Sequence, residues 1–150
     1  MAVTDTDVVV QEILISASPE TIFEFFTDPE KMTRWKGRKA DLDPRPGGIY
    51  KVDMSGTNVA LGEFVELVPH ERIVFTWGWE GHPTVQPGSS TVEITFTPDG
   101  DKTRVRLVHR DLPEDEREQH NAGWSHFLPR LVSIAEGNDP GTDPWFTDQP

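Results

Sequence analysis

Apolar residues recur along this chain with two periods, and the switches between them mark out its elements. Residues 8–15 are rich in β-branched side chains and alternate in part, which predicts a first strand. Ser18-Pro19-Glu20 then reads as a helix start. The serine can accept from orphan amides, and the proline already holds a helical φ at the first position. Ile22, Phe25 and Phe26 follow at helical spacing, with Phe23 beside them. Asp28-Pro29-Glu30 repeats the start signal and predicts a second short helix to about Trp35.

From residue 49 the period falls to two. Tyr50, Val52 and Met54 share one face of a predicted strand over 49–54. A strand follows over 62–68, where Phe64 and Val65 compete for the inward face. Residues 72–79 form the clearest strand, with Ile73, Phe75, Trp77 and Trp79 on one side. Val92, Ile94 and Phe96 align within 91–97, and Val105, Leu107 and His109 within 103–109. Pro98-Asp99-Gly100-Asp101 turns the chain between those two strands.

Pro113 opens a long helix whose first turn carries Glu114, Asp115 and Glu116, where the helix dipole favours negative charge. Trp124, Phe127, Leu128, Leu131, Ile134 and Ala135 draw an apolar stripe along a helix of about six turns. Gly137 is placed to cap it, and 138–150 is a polar tail. The expectation is one domain over 1–137 with a tail over 138–150. Two helical positions break the pattern. Gly123 costs about 1 kcal/mol relative to alanine, which close approach to a strand would explain. Pro129 deletes the bond to the Ser125 carbonyl and predicts a bend.

A striped helix cannot bury its stripe alone, and each strand offers one apolar face. The fold expected is α+β: a curved six-stranded antiparallel sheet wrapped around the C-terminal helix, with two short helices after the first strand.

Charge and composition narrow the function. A net charge of −12 speaks against nucleic acid and against anionic membrane surfaces as partners. The chain has no cysteine, so disulfides, thiolate nucleophiles and cysteine metal sites are excluded, in keeping with a cytoplasmic location. The first ten residues lack the basic and apolar pattern of a leader, and no run reaches the roughly 18 apolar residues of a membrane span. His120 and His126 are spaced wrongly for one helical face, while His70 and His82 fall in turns, so no metal site is expected. Nucleophile elbow, phosphate loop and dinucleotide fingerprint are all missing, so no catalytic residue is assigned and no cofactor is implied. Glu66 is the carboxylate whose ambiguous strand could turn it inward, where burial would raise its pKa and suit it to act as a base.

Four segments together resemble the SRPBCC (START-like) superfamily. Within it, the chain is similar to stand-alone domains of the Aha type, related to the C-terminal domain of the heat-shock-chaperone ATPase activator. Phe23-Glu24-Phe25-Phe26-Thr27-Asp28-Pro29-Glu30 leads to Met32 and Trp35, and Asp43-x-Arg45-Pro46-Gly47-Gly48 precedes the second predicted strand. Gly62-Glu63-Phe64-Val65-Glu66 leads to Pro69-x-Glu71-Arg72-Ile73-Val74-Phe75-Thr76-Trp77. Thr103-Arg104-Val105 and His109 lead to His120-x-x-Gly123-Trp124. The resemblance covers roughly 8–136 and implies the helix-grip fold, with a cavity between sheet and helix. It also implies a connection to stress response, and it fixes fold better than function.

The function expected is non-catalytic binding of a hydrophobic, aromatic or polycyclic small molecule in that cavity. The residues assigned to it are Phe26, Trp35, Tyr50, Val52, Met54, Phe75, Trp77, Trp79, Val92, Ile94, Leu107, His109, Trp124, Phe127, Leu128 and Leu131. One alternative is a protein-interaction module with a chaperone partner. Another is a cyclase- or hydrolase-like enzyme in which His109, Tyr50 and Glu66 converge. A homodimer is a further candidate assembly. Trp145 and Phe146 in the tail are candidates for docking on the body or on a second subunit.

Overall fold

Both helix starts read from the sequence form as true caps. Ser18 Oγ accepts from the Thr21 amide at 3.2 Å, and Asp28 Oδ1 accepts from the Glu30 amide at 2.9 Å. They open α1 (Pro19–Thr27) and α2 (Pro29–Met32). The second helix is shorter than expected, because residues 33–35 form a turn instead. The structure is a computed structural model that describes residues 8–54 and 58–141, so Trp145 and Phe146 lie outside the described residues.

The remaining elements are β1 (Val9–Ile15), β2 (Lys39–Leu42), β3 (Ile49–Asp53), β4 (Val59–Val68), β5 (Arg72–Trp77), β6 (Ser90–Asp99), β7 (Lys102–Arg110) and α3 (Glu114–Ala135). They make a seven-stranded antiparallel sheet in the order β1-β7-β6-β5-β4-β3-β2 and a C-terminal helix. β2 to β7 run as a meander. β1 and β2 therefore occupy opposite edges, and α1 and α2 lie in the connection between them.

Six strands were expected, and the seventh is β2. Its sequence is Lys-Ala-Asp-Leu, only Ala40 is buried in it, and it pairs solely with β3. So short an edge strand carries almost no periodic signal. The ambiguity in β4 also has a structural cause. Phe64 faces Phe75 and Glu66 faces Val74, so a β-bulge leaves Val65 as the extra residue. Phe64 is buried, while Val65 is 50% exposed.

The inward rows cross the sheet in register. Phe75, Val92 and His109 form one row over β5, β6 and β7, and Ile73, Ile94 and Leu107 form the next. All six are buried, and so are Trp124, Phe127, Leu128 and Leu131 of the α3 stripe. Ile134 and Ala135 are half-buried against the same core. α3 ends in a two-bond cap: Gly137 at φ +92° donates to Ile134 O, and Asn138 donates to Ser133 O at 2.8 Å. The helix runs on through Pro129, which is exposed.

Gly123 does not approach a strand. A Cβ built on it meets nothing within 4 Å, so the position borders open space.

Candidate ligand-binding cavity

Where β5 leaves the sheet, Gly78 lets the chain double back. A Cβ there would lie 1.8 Å from the Gln86 carbonyl oxygen. The amide of Trp79 donates to Val85 O at 2.8 Å, and His82 Nδ1 accepts from the amides of Thr84 and Val85. This folded-back loop holds Trp79 against α3. Between the end of β5, the loop and the first half of α3 lies a cavity of about 540 Å³, within the range of small-molecule pockets.

Of the residues assigned from sequence, Met54, Trp77, Trp79, Trp124 and Phe127 line this cavity. His120, Gly123 and Lys36 line it too. The others sit behind it as packed core. Tyr50 stacks on Phe75 at 4.0 Å between centroids. Val52, Val92, Ile94, Leu107, Leu128 and Leu131 are buried in the sheet–helix interior. Phe26 packs edge-on against Trp35, whose indole N–H donates to the Phe25 carbonyl at 2.9 Å. Trp35 borders a separate cleft with Arg34, Arg38 and Arg130.

The two histidines at the cavity are fixed by indoles. An indole N–H can only donate, so the ring nitrogen it meets must be an acceptor. Trp124 Nε1 donates to His109 Nδ1 at 3.1 Å. The proton of His109 therefore sits on Nε2 and is donated to Ser90 Oγ at 2.8 Å, while Ser90 donates on to the Trp77 carbonyl at 2.8 Å. Trp79 Nε1 donates to His120 Nε2 at 2.9 Å, which places the His120 proton on Nδ1, facing the Glu116 carbonyl at 2.8 Å. The two rings are opposite tautomers, both neutral. Burial pushes the pKa of His109 well below its ordinary value, and the nearby His120 and Lys36 push in the same direction. Burial likewise lowers His120.

The hydrogen bond between His109 and Ser90 runs from imidazole to hydroxyl, the reverse of the polarity by which a base activates a nucleophile. Glu66 stands apart from the cavity. It is paired with Arg72 at 2.7 Å on the exposed side of the bulge. His109, Tyr50 and Glu66 therefore do not converge.

Lys36 is the residue that sequence reading missed. It follows the turn after α2, is 2% exposed, and its Nζ lies 4.1 Å from the ring centroids of both Trp77 and Trp124. Its polar contact is the Tyr50 hydroxyl at 3.3 Å. Burial brings its pKa well below the usual lysine value and pushes that of Tyr50 above its ordinary value. A lysine between Trp35 and Gly37 carries no periodic signal, so only the assembled fold reveals it. Among the described residues no group of three or more His, Cys, Asp or Glu side chains is placed to hold a metal ion. No described helix is long and apolar enough to cross a membrane.

Sheet, C-terminal helix and aromatic cavity define the class as an SRPBCC-type domain. Residues 16–136 match the family described as Activator of Hsp90 ATPase homolog 1-like protein, and the chain belongs to that family. Over 110 residues it is 31% identical to the human protein named Activator of 90 kDa heat shock protein ATPase homolog 1, covering 73% of this chain and 31% of that one. The chain thus spans about a third of the length of the curated relatives it matches. The solution structure of an AHSA1-like protein from Rhizobium etli is 43% identical with a TM-score of 0.74, over 95% of this chain and 90% of that one. DynU16, described as a putative protein in the dynemicin biosynthetic locus, is 26% identical with a TM-score of 0.77, over 89% of this chain and 49% of that one.

Proposed function

We propose that this chain binds an apolar small molecule in a helix-grip cavity, with the sheet curved around α3. The observation that carries the reading is the cavity of about 540 Å³ walled by Trp77, Trp79, Trp124, Phe127 and Met54. A wall of large rings offers apolar contact and selects by shape. Gly123 supports it, since the helix gives up side-chain packing at the point where it borders open space. Likeness to a protein of a biosynthetic locus agrees with the handling of small molecules.

The test is titration of intrinsic tryptophan fluorescence with a panel of aromatic and polycyclic compounds, alongside thermal shift. Binding should quench or shift the emission and raise the melting temperature, and a Gly123→Leu variant should lose both responses. Silence of both readouts across the panel overturns the reading.

A second reading rests on the 31% identity to the human chaperone activator. In it the domain engages an Hsp90-type chaperone through its surface. Stimulation of such a chaperone's ATPase by this chain, unchanged by Gly123→Leu, would support it.

A further inference from the structure

One amine lining the cavity is poorly met by the protein. It is Lys36 Nζ, whose polar contact is the 3.3 Å approach to Tyr50. Among the described residues no carboxylate forms a salt bridge with it. A buried donor left poorly met is unfavourable by about 1–3 kcal/mol, more if charged, so one at the wall of a cavity calls for a reason.

The surrounding charges point the same way. Facing Lys36 are Tyr50 on β3, His109 on β7 and His120 on α3, none of them acidic. Two acids line the outer part of the cavity wall and neither pairs with Lys36: Glu80 is exposed, and Glu116 lies 3.8 Å from the rings of both His82 and His120. A cationic ligand would meet a lysine already seated on the aromatic faces, and a purely apolar one would leave the amine poorly met.

We infer that the cavity takes an aromatic acid, a ring system carrying a carboxylate or sulfonate whose oxygens accept from Lys36 Nζ. The ring system lies against Trp79, Trp124 and Phe127. This rests on the cavity reading above and names the chemistry of its ligand. The arriving anion restores the charge that burial disfavours on Lys36, so binding takes up a proton.

Two fluorescent probes of nearly the same shape separate the possibilities: anilinonaphthalene sulfonate and its uncharged counterpart N-phenylnaphthylamine. The wild-type chain should prefer the sulfonate, and Lys36→Met should weaken sulfonate binding by about tenfold or more while changing the uncharged probe by less than about twofold. Calorimetry of the wild type in two buffers of different ionisation enthalpy should show proton uptake with the sulfonate and none with the uncharged probe. That measurement needs no variant to fold. Equal binding of both probes, with no proton uptake, overturns the acid inference and leaves the cavity reading standing. Binding of neither probe overturns both.

Discussion

At position 36 an amine is enclosed by two indoles and a phenol and has no counter-ion among the described residues. Removing an ammonium from water disfavours its charged form, so the folded state binds the Lys36 proton less tightly than the unfolded chain does. The sign follows from that difference. The full contribution of Lys36 is present above the unfolded value of 10.5 and is lost as pH falls toward the folded value. Below 10.5, stability should therefore fall as pH falls toward the folded value, by up to about 1.4 kcal/mol per unit. Tyr50 acts oppositely, but only near and above 10.0, where the unfolded phenol ionises. Lys36→Met should flatten the slope and raise stability at pH 7 by about 1 kcal/mol or more. Urea denaturation of both chains at pH 7, 8 and 9 checks this, and parallel slopes would mean that Lys36 keeps its proton in the folded state.

Within α3, Gly123 is a weak helix former at a site where a side chain meets only open space. Gly123→Ala should stabilise the chain by about 1 kcal/mol, since the helix gains propensity without a clash. A thermal melt at neutral pH reads the gain, and a loss instead would show that the wall is tighter than its geometry implies. The elements themselves were legible to unequal degrees. β3, β6 and β7 alternate cleanly, β5 less so because Val74 is buried between Ile73 and Phe75, and Ser18 and Asp28 announced α1 and α2. β2 stayed hidden because four residues with one buried alanine hold no period. β4 was ambiguous because the bulge at Val65 resets its alternation. The aromatic side chains of the cavity could be read from strand and helix faces, but its polar chemistry could not. Trp79 and His120 are 41 positions apart, Trp124 and His109 are 15 apart, and Lys36 comes from a turn. Pairings of that kind exist only once the chain has folded.

For the molecule as a whole, two buried neutral histidines set a lower boundary in pH. Burial is the main cause of both depressed pKa values, so the unfolded chain gains these protons first as pH falls. Their contribution is complete above about 6.5 and is lost below it, at up to about 1.4 kcal/mol per pH unit for each ring. Protonation of His109 would also turn the Trp124 contact from donor–acceptor into donor–donor. Stability measured by denaturant from pH 7.5 to 5 should bend downward near about 6.5, and His109→Gln should reduce the bend. A straight line through that interval would show that neither ring is held neutral. The packing of the indoles has an optical consequence. Trp77 lies 5.3 Å from Trp79 and 5.5 Å from Trp124, centroid to centroid, at interplanar angles of 82° and 46°. Chromophores so close and so inclined share their excited states, which gives the chain a built-in circular-dichroism couplet sensitive to a wedge between the rings. Occupancy of this interior can then be watched without attaching any label.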